Sequence, residues 1–208
     1  QVQADSIYLI PDTVGSPQKY AMAVNNGNPV LAYKSNITNS IVVAICGNPA
    51  CETALTVIRP IASELMGNVA ITVVDGNPFI VYSSTPHLRV AACVDPLCSQ
   101  PMIVTTLDNG SPIQITLQNG KALIAYENVN PTTGQRIVKL AICTDVACTA
   151  PMIQPVNIPG GVPSSSIFSF GLLNGNPIFA MGNVNDVVLL KCASPTCAEA
   201  PTVKIVDA

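Results

Sequence analysis

The sequence predicts an all-β fold made of four copies of one antiparallel unit, on three observations. Apolar residues come in runs of about five to eight broken by Gly, Pro, Asn and Asp, the pattern of strands bounded by turns. The eight cysteines fall into four pairs with four residues between partners: Cys46/Cys51, Cys93/Cys98, Cys143/Cys148 and Cys192/Cys197. Successive first cysteines lie 47, 50 and 49 residues apart, and similar segments recur around each pair.

Each unit reads as four strands in order. The first strands are KYAMAV (19–24), NVAITVV (68–74), PIQITLQ (112–118) and SIFSFGLL (166–173). A turn then leads into the second strand in NGNPVLAY (26–33), DGNPFIVY (75–82), NGKALIAY (119–126) and NGNPIFAM (174–181). Asn or Asp followed by Gly27, Gly76, Gly120 or Gly175 supplies the positive φ that a two-residue hairpin needs. The third strands, IVVAIC, LRVAAC, VKLAIC and VVLLKC, end at the first cysteine of each pair. The fourth strands are ALTVIRP, PMIVTTL, PMIQPVN and PTVKIVD. Third strands that are apolar on both faces suit a sheet covered by neighbours on both sides.

A repeat of this length with four strands is the pattern of a β-propeller blade. The expectation is one domain over 1–208, with blades near 18–60, 68–108, 111–157 and 165–208; two β-sandwich domains are the alternative. If the fourth strand starts at the second cysteine, the two cysteines face each other across a hairpin, and each pair forms a disulfide at the outer edge of its blade. Zinc is the other use of paired cysteines. It favours pairs separated by two residues and converging on one ion, and the only imidazole here is His87. Residues 1–17 are left over as an extra strand, with Ser6, Ile7, Tyr8, Leu9 and Ile10 resembling the end of a blade. That segment either packs on its own domain or adds to a sheet edge of another copy.

The D/N-G-x-P-x-I-x-Y pattern with a C-x4-C hairpin resembles secreted β-propeller repeat proteins over nearly the whole chain. The Trp-Asp dipeptide and the sialidase aspartate box do not occur and the kelch double glycine does not recur from repeat to repeat, so the resemblance implies no catalytic residues. Repeat four departs from the pattern, with Met181 where the others have Tyr33, Tyr82 and Tyr126.

Even cysteine pairing points to an oxidising, extracellular compartment, and the absence of a basic, apolar leader at Gln1 reads as the mark of a removed secretion signal. Asn36 and Asn109 begin N-x-S/T acceptor triplets for glycosylation. Mean hydropathy is +0.44, yet no apolar run reaches the roughly 18–20 residues of a spanning helix. Nine dispersed Lys and Arg within a net charge of -3 argue against nucleic acid as a partner.

Catalytic chemistry has little support. His87 lies near Ser83 and Ser84, but G-x-S-x-G is absent, and a solvated loop histidine is expected. Asp5, Asp12, Glu52, Glu64, Asp75, Asp95, Asp108, Glu127, Asp145 and Asp186 are scattered, and turn chemistry explains three of them: Asp75, Asp95 and Asp145. Neither a phosphate loop nor a calcium loop is written in the chain, so no cofactor or metal is expected. The repeated tyrosines are expected in the core rather than stacked on sugars.

The remaining signal is the scarcity of charge, 10% against about 25% in an ordinary globular chain. Interface cores are depleted in charge in the same way. The expected function is a secreted, non-enzymatic structural or adhesive module that associates with itself in a filament or surface layer. A lectin-like glycan-binding propeller is the alternative, and a glycoside hydrolase on a propeller scaffold is a further one.

Overall fold

The structure is a computed structural model that describes residues 20–35, 40–52, 56–61, 66–130, 132–159, 161–162, 167–182 and 187–206. The candidate assembly segment Ser6–Ile10 and the acceptor Asn36 lie outside the described residues. The fold is all-β, with four antiparallel sheets of four strands in simple meander order. Sheet 1 holds β1 (Tyr20–Asn25), β2 (Asn28–Ser35), β3 (Ser40–Ile45) and β4 (Thr56–Ile61). Sheet 2 holds β5 (Met66–Val74), β6 (Asn77–Ser84), β7 (His87–Ala92) and β8 (Ile103–Asn109). Sheet 3 holds β9 (Ser111–Gln118), β10 (Lys121–Val129), β11 (Arg136–Ile142) and β12 (Met152–Pro155). Sheet 4 holds β13 (Ile167–Leu173), β14 (Asn176–Gly182), β15 (Val187–Lys191) and β16 (Thr202–Ile205).

The first hairpin of every sheet turns on two residues with positive φ. At Asn26–Gly27 the angles are 49° and 82°, and at Asp75–Gly76 they are 49° and 78°. Two left-handed residues in succession give the type I′ geometry whose twist matches the strands it joins. A branched side chain at the second position resists that conformation. Gly76→Val is therefore expected to lower stability by about 1–2 kcal/mol, read as a lower denaturant midpoint with the bridges intact.

The four sheets stack face to face in chain order, with their first strands β1, β5, β9 and β13 in successive contact. Sheets 1 and 2 enclose Val30, Ala32 and Val43 against Ile71, Ile80 and Tyr82. Sheets 2 and 3 enclose Phe79, Val81 and Val90 against Ile115, Ile124 and Tyr126. Sheets 3 and 4 enclose Leu123 and Leu140 against Phe170, Phe179 and Leu190. Each large apolar side chain so buried contributes about 1.5–3 kcal/mol. The core between sheets 2 and 3 spans the boundary that two separate sandwiches would leave open. Amides also tie neighbouring sheets together: Asn25 Nδ2 donates to the Gly76 carbonyl at 2.8 Å, and Gln118 Nε2 to the Gly175 carbonyl at 2.8 Å.

All four cysteine pairs are bonded: Cys46–Cys51, Cys93–Cys98, Cys143–Cys148 and Cys192–Cys197, with Cα separations of 4.8, 5.0, 4.7 and 5.0 Å. The pairing is as the spacing predicts, but the cross-strand staple is not. Cys51, Cys98, Cys148 and Cys197 were expected to open the fourth strands and to face their partners across a hairpin. The fourth strands begin instead at Thr56, Ile103, Met152 and Thr202, several residues further on. The physical reason is local. Cys51, Cys98, Cys148 and Cys197 are left-handed, with φ of 58°, 50°, 54° and 54°, a conformation that a strand cannot continue through. Their N–H groups donate to the carbonyls three residues back, at Asn48, Asp95, Asp145 and Ser194, over 3.0, 3.1, 3.3 and 3.1 Å.

The first cysteines still belong to the ladder, since Cys46, Cys93, Cys143 and Cys192 donate to carbonyls at the start of the second strand. Each bridge therefore closes one tight turn at the end of the third strand and does not clamp the outer strand pair. Nor does it sit at an outer edge. Cys98, Cys148 and Cys197 are buried, each within the apolar joint between two sheets, whereas Cys51 in sheet 1 is half-buried.

Candidate functional site

Ladder geometry places His87 at the first position of β7, opposite Ser84 and Asn109. It is a partly buried strand residue and not a solvated loop histidine. Its Nδ1 lies 3.0 Å from Asn109 Oδ1, so the group facing the imidazole is a neutral amide. Ser83 and Ser84 are buried. A carboxylate to orient the ring, as a hydrolytic triad requires, is not what this arrangement supplies. Asn109 is exposed, at the end of β8, and its acceptor triplet runs on through Gly110 and Ser111 into β9. Gly110 holds φ of 145° there, and its N–H donates to the Pro86 carbonyl at 2.9 Å.

The densest polar cluster joins sheets 2 and 3. Asp108 Oδ2 accepts from the Tyr126 hydroxyl at 2.7 Å and from Lys139 Nζ at 2.8 Å. Burial pushes the Asp108 carboxyl up, but these two donors and the Asn109 N–H outweigh it and hold the group below its ordinary 3.8. Tyr126 is driven the other way, by burial first and then by the bond to Asp108. Beside it, Glu127 pairs with Arg136 through both nitrogens of one edge of the guanidinium, Nη2 lying 2.7 Å from Oε2. The bond from Glu127 raises the Arg136 pKa above its ordinary value. Every charge in the cluster therefore has a partner, and the cluster reads as a polar tie between sheets. The sequence hinted at it through Lys139, a cation set between the apolar Val138 and Leu140 of the third strand.

Two of the turn carboxylates act on the backbone. Asp95 accepts from the N–H groups of Leu97, Ser99 and Gln100, and Asp145 from those of Ala147 and Thr149. The Ser99 N–H leads in lowering the Asp95 pKa, and the Thr149 hydroxyl leads in lowering that of Asp145. Asn48 takes the equivalent place in sheet 1, accepting from the Glu52 N–H at 2.8 Å. These side chains cap the disulfide turns that end at Cys51, Cys98 and Cys148.

Among the described residues, no group of three or more His, Cys, Asp or Glu is placed to hold a metal. A shallow cleft between sheet 2 and the disulfide turn of sheet 3 is lined by Val74, Phe79, Ala92, Ile103 and Val146. Another runs along the outer strands of sheet 3 past Arg136, Gln154, Asn157 and Ile158. Neither lining contains a carboxylate, a histidine or a serine. Tyr33, Tyr82 and Tyr126 are buried, which withdraws them from stacking on a sugar. No known family model and no curated protein matches the chain. What stands out on the surface is apolar. Tyr20, Met22 and Val24 line one face of β1 and are exposed, while Leu173 and Val187 are exposed on sheet 4. No helix among the described residues is long and apolar enough to cross a membrane.

Proposed function

We propose that the chain is a run of β-propeller blades serving as a secreted, non-enzymatic structural or adhesive module that associates with copies of itself. The observation carrying this reading is the row Tyr20, Met22 and Val24, three large apolar side chains left in water on one strand of a protein with 10% charged residues. Contiguous exposed apolar surface of this kind marks interaction sites. The propeller reading draws on the stacking of four meander sheets in chain order with their first strands in contact. Four bonded cysteine pairs support an oxidising, extracellular setting.

Light scattering on the unreduced chain tests the association. The expected result is a weight-average mass that climbs with concentration well above 21.6 kDa. A mass fixed at 21.6 kDa up to millimolar concentration overturns the reading. Repeating the measurement after deletion of residues 1–12 separates association through the N-terminal segment from association through the sheet faces.

A further inference from the structure

The four sheets are not equivalent in their surroundings, although their repeats are equivalent in sequence. Among the described residues, sheets 2 and 3 have a sheet on each side, whereas sheet 1 has one only on its back and sheet 4 only on its front. Repeat-equivalent residues show the difference directly. Met22 is 65% exposed on the front of sheet 1, while its counterparts Ile71, Ile115 and Phe170 are 8%, 8% and 4% exposed against a preceding sheet. On the back of sheet 4 Val187 is 45% exposed, while its counterparts Ile41, Leu88 and Val138 are fully buried. Both end faces thus carry the apolar residues of a sheet joint, and among the described residues neither meets a further sheet.

We propose that a second copy supplies that partner: the back of sheet 4 in one chain docks on the front of sheet 1 in the next, repeating between chains the joint each chain makes three times internally. This rests on the self-association proposed above and names its surface. The internal joints specify which strands meet. The first strand of each following sheet is touched by the first strand of the preceding one, and β5 and β9 are touched by β2 and β6 as well. Extended by one step, β13 and β14 of one copy cover β1 of the next. On the front of sheet 1, Tyr33 on β2 and Val42 and Ala44 on β3 are buried, and among the described residues it is the β1 row of Tyr20, Met22 and Val24 that stands exposed in the corresponding place. Opposite it, the back of sheet 4 offers Leu173 and the half-buried Ile178, Ala180 and Leu189.

The last residue of each first strand fits the same extension. Asn25 and Gln118 carry the amides that cross the joints from sheet 1 to 2 and from sheet 3 to 4, and the joint from sheet 2 to 3 has Val74 instead. Leu173 stands at this position in sheet 4, so the joint between copies is of the apolar, Val74 kind. Such an interface joins two different patches, so it is heterologous and generates either a closed ring or an open filament.

Two single substitutions on exposed positions test it: Met22→Glu on the front and Leu173→Glu on the back. In full chains with bridges intact and unchanged circular dichroism, each variant alone should sediment as a monomer at concentrations where the unmodified chain associates. A one-to-one mixture should recover a species of twice 21.6 kDa and no larger, because each variant retains the face the other has lost. A mixture that stays monomeric overturns the heterologous joint. Variants that assemble as the parent does, with assembly lost on removing residues 1–12, overturn the face joint and leave self-association standing. A parent chain that is itself monomeric overturns both.

Discussion

Truncating Phe179 to alanine is expected to destabilise the chain by about 3–5 kcal/mol. The ring is fully buried between sheets 3 and 4, with its centroid 5.0 Å from that of Phe170 on the adjacent strand. Leu123, Leu140 and Leu190 belong to the same cluster, and β-sheet backbones on both sides limit how far the void can close. Sheet 4 has one described joint, so the loss falls on it alone. Hydrogen exchange should therefore quicken first in β13–β15, while β6 and β7, held from both faces, keep their protection. Urea unfolding with the bridges intact gives the total. A loss below about 1 kcal/mol would mean that the joint between sheets 3 and 4 repacks around the missing ring.

Asp108→Ala should produce the second large effect, about 2–3 kcal/mol at neutral pH. The substitution removes the acceptor of a buried tyrosine hydroxyl and the counter-charge of Lys139 together. The side chains of Lys139 and Asp108 keep 21% and 24% exposure, so water recovers part of the ionic term and the range stays modest. Tyr126→Phe removes the hydroxyl itself, and the double variant should lose less than the sum of the single ones because the groups share one network. The pH dependence has a definite sign. The folded-state pKa of Asp108 is depressed, so its stabilisation is complete above the ordinary 3.8 and is lost as pH falls through the lower folded value. The Asp108→Ala variant should consequently lose less stability than the parent on acidification below 3.8. An identical acid slope in both proteins would assign the acid loss to other groups, Asp95 and Asp145 first among them, since their folded values are depressed as well.

What was legible in the chain follows from how local each signal is. The Asn-Gly and Asp-Gly turns, the strands flanking them and the pairing of cysteines five positions apart all depend on near neighbours, and the residue types declare them. The left-handed backbone of Cys51, Cys98, Cys148 and Cys197 was not legible, because cysteine carries no preference for that conformation; the turn caps at Asn48, Asp95 and Asp145 help to hold the first three. His87 read as a loop residue because Thr85 and Pro86 precede it, whereas the turn is only those two residues and the strand resumes at once. The Asp108 cluster joins partners 18 and 31 residues away, a convergence that periodicity does not encode. The exposed end faces were hidden for a related reason: Met22, Ile71, Ile115 and Phe170 on the fronts and Ile41, Leu88, Val138 and Val187 on the backs are apolar in every repeat, and only the stacking order reveals which of them has no neighbouring sheet among the described residues.

The disulfides have a consequence for how such a chain can change in length. Each bridge links cysteines five positions apart and stays inside its own sheet, and among the described residues no cysteine is free. A gene segment encoding one unit therefore carries its own oxidative closure. Tandem duplication or loss of a unit leaves no orphan thiol to mispair during folding, and the neighbouring units meet the newcomer through the apolar faces they already present to one another. The oxidised turn makes the unit a transferable part.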